Sequence, residues 1–440
     1  MLDHLWYIVP GILTGCIAGF MPGIGIFASM MMLVPFLHTL EPMELLTFYI
    51  ALASTTQYIG SITATVFGLP GETSSLPAVK EGHEMYRSGS GSYAISGAAI
   101  GSFVGSILVV AFVSFFIQFL DGIYKIYNTK VMAITLIIVS VLICMTAENR
   151  LIAVSLSIVG YLLGLVGCRH IDDFCFAIFN NDNLTTGLPL VSVICAIYVF
   201  PQLIKKFNWD NEVVKLENSF TVRHLKKYVK NIGAGLRGTV IGFFAGFTPG
   251  ISTAVSSNLA YIIEKWWQTK IKKYKIGNYQ SLVSAETANN AGAFSCLLPL
   301  VVFGLPLVPS EALLFEMLMS KGTVLGQNFT PSFFFNNLVF ALLLTNLIAL
   351  LIAWPLAKHI CYLQKIPTTY FKIFVFALLL FSVFINGQNY FQETYNLAVF
   401  FLLLPVGYML RNIDTLPLIF VFIIQSRLDV ALITLKGLLW

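Results

Sequence analysis

The sequence predicts an all-α, polytopic integral membrane protein with about 12 transmembrane helices, arranged as two inverted repeats with broken, re-entrant helical hairpins. Three observations predict it: long runs without an ionisable residue, a chain that repeats itself, and Pro-Gly pairs inside apolar stretches.

The runs follow from composition. Of 440 residues, 57% are hydrophobic and 11% are Asp, Glu, Lys or Arg, against about 25% charged in an ordinary soluble domain. A soluble fold of this makeup would have almost nothing to cover its surface. Residues 4–40 and 88–120 contain no Asp, Glu, Lys or Arg, and each run exceeds the ~20 residues that cross a hydrocarbon core. Similar runs follow at 45–71, 131–147, 151–168, 183–204, 238–263, 287–310, 322–357, 373–392 and 394–410. Together they make about ten to fourteen helical passes. Met1-Leu2-Asp3-His4 has no basic n-region, so the first apolar segment is expected to belong to the mature fold. The net charge of +5 is spread over inter-helix loops, where basic residues report topology, and it points away from nucleic acid. The seven cysteines sit mostly inside apolar runs without a C-x-x-C pair. They read as small apolar side chains with no disulfide framework, and no metal or other cofactor is expected.

The repeat is visible in glycines. Gly11, Gly15, Gly19 and Gly23 recur every fourth residue, as do Gly238, Gly242, Gly246 and Gly250 at one constant offset. Around them Gly19-Phe20-Met21-Pro22-Gly23-Ile24 matches Gly246-Phe247-Thr248-Pro249-Gly250-Ile251. Later landmarks keep the order: Gly68-Leu69-Pro70 answers Gly304-Leu305-Pro306, Gly160-Tyr161 answers Gly407-Tyr408, and Leu188-Pro189-Leu190 answers Leu416-Pro417-Leu418. The expected division is repeat 1 over residues 1–210, a basic linker over 211–231 and repeat 2 over 232–440. The linker and the lysine-rich loop 265–275 both belong on the cytoplasmic side by the positive-inside tendency. Residues 232–263 between them therefore cross an even number of times. That segment is about 48 Å long as a helix, so a hairpin of two half-helices meeting at Pro249-Gly250 fits it best. The matching loop in the first copy carries Glu41 and Glu44 and no Lys or Arg, which places it on the opposite side and makes the repeats inverted.

Broken helices inside a membrane leave backbone groups that are tolerated only where they line a cavity or are buried in protein. The N-terminal end of a half-helix offers free N–H groups to an anion. Substrate-binding candidates are therefore Pro22, Gly23 and Gly25 at one tip and Pro249, Gly250, Ser252 and Thr253 at the other. Gly71, Thr73 and Ser74 at the second break, with Ser61 and Thr63 before it, add amides and hydroxyls. In the second copy Asn289 and Asn290 correspond, and Glu286, Asn289 and Asn290 form the cation-coupling candidate. An ionisable group in an apolar stretch is expensive enough to be functional by default, and oxygen ligands suit Na⁺ or a proton. Competing structural readings exist for each: glycines for close packing, hydroxyls as helix glue, Glu286 as a helix-start carboxylate at the interface. Catalytic chemistry finds no footing. His4, His38, His83, His170, His224 and His359 are scattered, and the chain contains no H-E-x-x-H or nucleophile elbow.

The residues Gly19 to Gly25, Gln57-Tyr58-Ile59-Gly60-Ser61-Ile62-Thr63-Ala64 and Leu69-Pro70-Gly71-Glu72-Thr73-Ser74-Ser75 resemble the large membrane subunit (TctA) of the tripartite tricarboxylate transporters. In the second half Tyr261-x-x-Glu264, Ala285-Glu286-x-Ala288-Asn289-Asn290-Ala291, Leu298-Pro299-Leu300 and Gly304-Leu305-Pro306 keep that family's order. The chain departs from the pattern at Ile59-Gly60-Ser61, where the family usually has two glycines before the serine, and at Pro306-Leu307-Val308, where it usually has Pro-Gly-Ser. The resemblance implies a multi-pass protein of the bacterial inner membrane. It would work with a small membrane subunit and a periplasmic solute-binding protein, and take up a small organic anion with Na⁺ or H⁺. A passive anion channel or exchanger is the alternative from the same residues, and an intramembrane enzyme is a third reading of different class.

Overall fold

The computed structural model describes residues 3–21, 24–70, 72–124, 129–147, 149–168, 175–176, 182–185, 187–204, 216–217, 220–271, 275–323, 325, 331–363, 368–386 and 390–439. Apart from one antiparallel pair of two-residue strands, Gly167–Cys168 with Cys175–Phe176, the regular elements among them are helical.

The first long uncharged run, residues 4–40, is divided at its Pro-Gly pair. Helix α1 (Ile8–Phe20) stops before the Pro-Gly pair and α2 (Gly25–Met32) restarts after it. Helix α3 (Pro42–Phe67) begins at a capping box, in which the Glu41 N–H donates to Glu44 Oε2 at 2.8 Å. It ends at Gly68, whose φ of +67° only glycine adopts without strain. Two π turns, Ala78–Gly82 and Tyr86–Ser90, lead into α4 (Gly91–Tyr124), followed by α5 (Thr129–Thr146) and α6 (Arg150–Leu165). Helix α7 (Leu190–Ile194) runs through a π turn at Cys195–Val199 into Phe200–Ile204.

The C-terminal part opens with the amphipathic α8 (Val222–Lys230), which lies against α4 with Lys227 Nζ 4.0 Å from the Tyr93 ring centre. Partial burial there lowers the Lys227 ammonium pKa. Helices α9 (Ile232–Ala245) and α10 (Ser252–Ile271) form a hairpin broken at Pro249-Gly250. Arg237 clamps its legs by donating to both oxygens of the buried Glu264 at 2.8 Å. Helix α11 (Tyr279–Phe303) starts at an Asn278 cap and ends at Gly304, again with φ +67°. Then come α12 (Pro309–Ser320), α13 (Pro331–Leu363), α14 (Thr368–Ile385), α15 (Tyr390–Met409) and α16 (Leu416–Leu439). Among the described residues three stretches, Ala78–Phe115, Asn337–Leu363 and Leu416–Ile433, have the length and composition of membrane spans. Shorter apolar helices among the described residues include Ile134–Met145, Arg150–Leu165, Ile232–Ala245 and Lys372–Ile385. Side chains such as Leu13, Leu151, Phe244 and Leu402 are mostly uncovered, as lipid-facing residues of an integral membrane protein are.

Lipid is as apolar as leucine, so helices here associate through close backbone contact rather than hydrophobic burial. The glycine ladders supply it. A Cβ on Gly11 would meet Ala51 at 2.6 Å and one on Gly15 would meet Thr55 at 2.7 Å, so α1 lies directly on α3. A Cβ on Gly238, Gly242 or Gly246 would overlap the carbonyls of Ser284, Ala288 and Gly292, so α9 lies on α11 in the same way. A further ladder, Gly97, Gly101 and Gly105, seats α4 on Tyr279 and Thr287 of α11. Asn346 of α13 reciprocates by accepting from Tyr58 of α3 at 3.2 Å and from Ser106 of α4 at 3.0 Å. Each central helix is thus flanked by a long helix from the other half of the chain. The exchange recurs at the periphery, where Gly160 packs on the Leu418 carbonyl and Gly407 on the Ala196 carbonyl.

Gly242→Leu should force α9 off α11 and cost about 3 kcal/mol or more. The thermal midpoint of purified protein in detergent is expected to fall by several degrees or the monodisperse peak to disappear, whereas Gly233→Ala, at an open position of the same helix, should leave both unchanged.

Candidate functional site

The residues that follow each Pro-Gly pair and both second breaks line one cavity of about 800 Å³. Residues 24–27 and 250–254 contribute the tips, Leu69, Pro70 and Glu72 one second break, and residues 308–311 the other. The breaks are tied together within each half. The Ile26 N–H, at the start of α2, donates to Glu72 Oε1 at 3.0 Å. Gly25 makes room for that carboxylate, because a Cβ there would stand 2.8 Å from Glu72 Oε1 and its φ is +57°. In the second half the Gly250 N–H donates to the Leu307 carbonyl at 2.7 Å, and the Leu307 N–H to Glu311 Oε2 at 2.9 Å. Across the halves, the hydroxyls of Tyr49 and Ser310 meet at 3.2 Å in the cavity wall.

The candidates distribute unevenly about this space. Gly25, Gly250, Ser252, Thr253 and Asn290 line it. Pro249 is buried in the tip behind the lining, and Ser74 is buried beside Glu72, to which its hydroxyl bonds. Pro22, Gly23 and Gly71 lie outside the described residues, as does the side chain of Thr73. Ser61, Thr63, Glu286 and Asn289 are buried on α3 and α11 away from the lining, and of these Ser61 and Glu286 meet across the seam between the two helices. There Ser61 Oγ donates to Glu286 Oε2. The other oxygen, Glu286 Oε1, and Asn289 Oδ1 have no hydrogen-bond partner among the described residues, although both residues are buried. Asn290, one turn from Glu286, donates to its carbonyl at 3.5 Å and reaches the cavity. Gln57, one turn from Ser61, also lines the cavity; it is 3% exposed, with neither amide atom partnered among the described residues. A polar track therefore descends from the cavity floor at Gln57 and Asn290 to the buried Ser61–Glu286 pair.

Sequence reasoning missed Glu311, Asp414 and Tyr49, and it named Glu72 and Ser310 only within the second breaks, without a role of their own. Glu311 ended an uncharged run and was passed over on that account, although the rule that singled out Glu286 applies to it equally. The motif residues Tyr261 and Glu264 serve the scaffold. Tyr261 donates to Glu81 at 2.9 Å, and Glu81 also receives the Gly277 and Asn278 N–H groups at 2.8 and 2.7 Å, anchoring the start of α11. Among the described lining residues the ionisable carboxylates are Glu72, Glu311 and Asp414, and Lys, Arg and His are absent.

Comparison with known proteins gives a consistent assignment. The model of the tripartite tricarboxylate transporter TctA family matches residues 5–422. An uncharacterized 52.8 kDa protein in the TAR-I ttuC' 3'region of Agrobacterium vitis is 27% identical over 361 residues, 81% of this chain and 72% of that protein. The uncharacterized protein MJ1079 of Methanocaldococcus jannaschii is 23% identical over 424 residues, 94% of each chain. No solved structure matches.

Replacing Glu311 with Leu should strand the Leu307 N–H and cost about 1–3 kcal/mol, read as a drop in thermal midpoint. Glu311→Gln, which keeps a carbonyl acceptor, is expected to retain most of the stability.

Proposed function

This chain belongs to the tripartite tricarboxylate transporter TctA family, and on that premise we propose that it is the solute-conducting subunit of a cation-coupled uptake system for a small di- or tricarboxylate. The observation that carries this reading is the convergence of both broken-helix tips on one cavity. Tip amides and hydroxyls, including those of Gly25, Ser252 and Thr253, and the side chains of Gln57 and Asn290 would hold the carboxylate groups. Glu286, with Ser61, Asn289 and Asn290, would take the coupling Na⁺ or proton one turn beneath it. Its unpartnered Oε1 supports that role, since a buried carboxylate oxygen without a donor is costly until something positive reaches it.

The same reading makes residues 1–210 and 232–440 two inverted repeats of about twelve membrane crossings in all, joined by the linker 211–231. The matched glycine ladders and the two αL caps at Gly68 and Gly304 support it. A small membrane subunit and a periplasmic solute-binding protein would complete the system in the bacterial inner membrane. A passive anion channel is the weaker reading, because a described lining with three carboxylates and no basic side chain repels anions that come unaccompanied.

The test is uptake of labelled citrate and succinate into proteoliposomes carrying the chain with the neighbouring small subunit and binding protein. Accumulation should require a Na⁺ or proton gradient and fall at least tenfold in Glu286→Gln; equal flux with and without a gradient would contradict the proposal. Gln57→Leu should remain folded and weaken solute affinity about tenfold, the value of one or two hydrogen bonds in a buried site.

A further inference from the structure

The cavity presents a charge problem for the solute it is proposed to carry. Its described lining places Glu72, Glu311 and Asp414 around the space and no Lys, Arg or His to offset them. Glu72 and Glu311 stand on the two second breaks, each turned toward the backbone by an accepted N–H, from Ile26 and from Leu307. Asp414 differs: it sits on the exposed loop before α16 and accepts from the Leu416 N–H. Each second break therefore carries one carboxylate on the cavity, Glu311 buried and Glu72 half-buried. Beside them lies Gln57, buried and with its amide oxygen unpartnered among the described residues.

We propose that Glu72 and Glu311 each take up a monovalent cation when the cavity is loaded, so that the carboxylate solute binds as a cation-neutralised cluster and not against bare glutamates. The proposal rests on the reading of this cavity as the solute site and adds two cation positions to the one at Glu286. Carboxylates, an amide oxygen and hydroxyls are a hard-oxygen set that accepts Na⁺ readily, and either glutamate can alternatively accept a proton. The titratable groups facing them are Tyr49 and Cys296 on the Glu311 side and Tyr198 and Asp414 on the Glu72 side, with Tyr49 near both. None of these neighbours supplies a positive charge. A purely structural role, in which each glutamate only holds its backbone N–H, would be met as well by glutamine.

Affinity for citrate, and separately for succinate, is measured by calorimetry on the purified full chain. One arm varies Na⁺ against choline at fixed pH and the other varies pH in choline, which separates Na⁺ from protons. Affinity of the wild type should rise steeply with one of the two cations. E72Q and E311Q, each shown to elute and melt like the wild type, should each lower the order of that dependence by about one. Each should also bind citrate about tenfold more tightly than the wild type at the lowest cation concentration. Unchanged cation dependence in both variants would overturn the proposal while leaving the cavity reading intact. Absence of wild-type binding to either carboxylate under every condition would overturn the cavity reading, and this proposal with it.

Discussion

An α-helix that ends inside hydrocarbon must find partners for its terminal N–H and C=O groups, and each buried group left without one costs about 1–3 kcal/mol. This constraint organises the centre of the protein. Helix α2 begins on Glu72, Gly250 hands its N–H to Leu307, and Leu307 hands its own to Glu311. The breaks satisfy one another, and this holds them around a shared space instead of letting them collapse into continuous helices. Glycine at 25 and 250, both with positive φ, is what lets the backbone turn there.

The same arrangement sets the electrostatics of the cavity. Using carboxylates as the internal acceptors puts negative charge where the helix ends would otherwise be positive. Like charges about 4 Å apart repel by about 4 kcal/mol at an effective dielectric of 20. On the proposed reading, a di- or tricarboxylate entering beside Glu72 and Glu311 brings cations with it, and coupling becomes a consequence of how the breaks are capped. The scaffold can hold such a cavity open because the glycine ladders pack α1 on α3 and α9 on α11 at backbone contact. The bidentate Arg237–Glu264 clamp keeps the second hairpin together at its base.

Much of this was legible in the sequence, because glycine and proline act locally. The ladder spacing carried close packing as the competing reading, and the helices do stop at Phe20, Phe67, Ala245 and Phe303, beside the predicted breaks. Gly25, Gly250, Ser252 and Thr253, chosen by the same logic, line the cavity, as does Asn290, chosen from the polar stretch of α11. What could not be read was pairing over long separations. Nothing local says that Ser61 meets Glu286, that Tyr49 meets Ser310, or that Asn346 joins α3 to α4. Glu311 was hidden for another reason: hydropathy runs treat a charge as a boundary, whereas here the boundary residue points into the site.

The central claim is that residues from both halves line one solute cavity. Single cysteines introduced by Ser54→Cys on α3 and Thr253→Cys on the second tip, in a background without the native cysteines, test it most directly. The rate of labelling by a small water-soluble thiol reagent is measured with and without saturating citrate and cation. Protection of both positions over the same citrate concentration range is the predicted result; protection of one position only, or of neither while citrate binds, would contradict it.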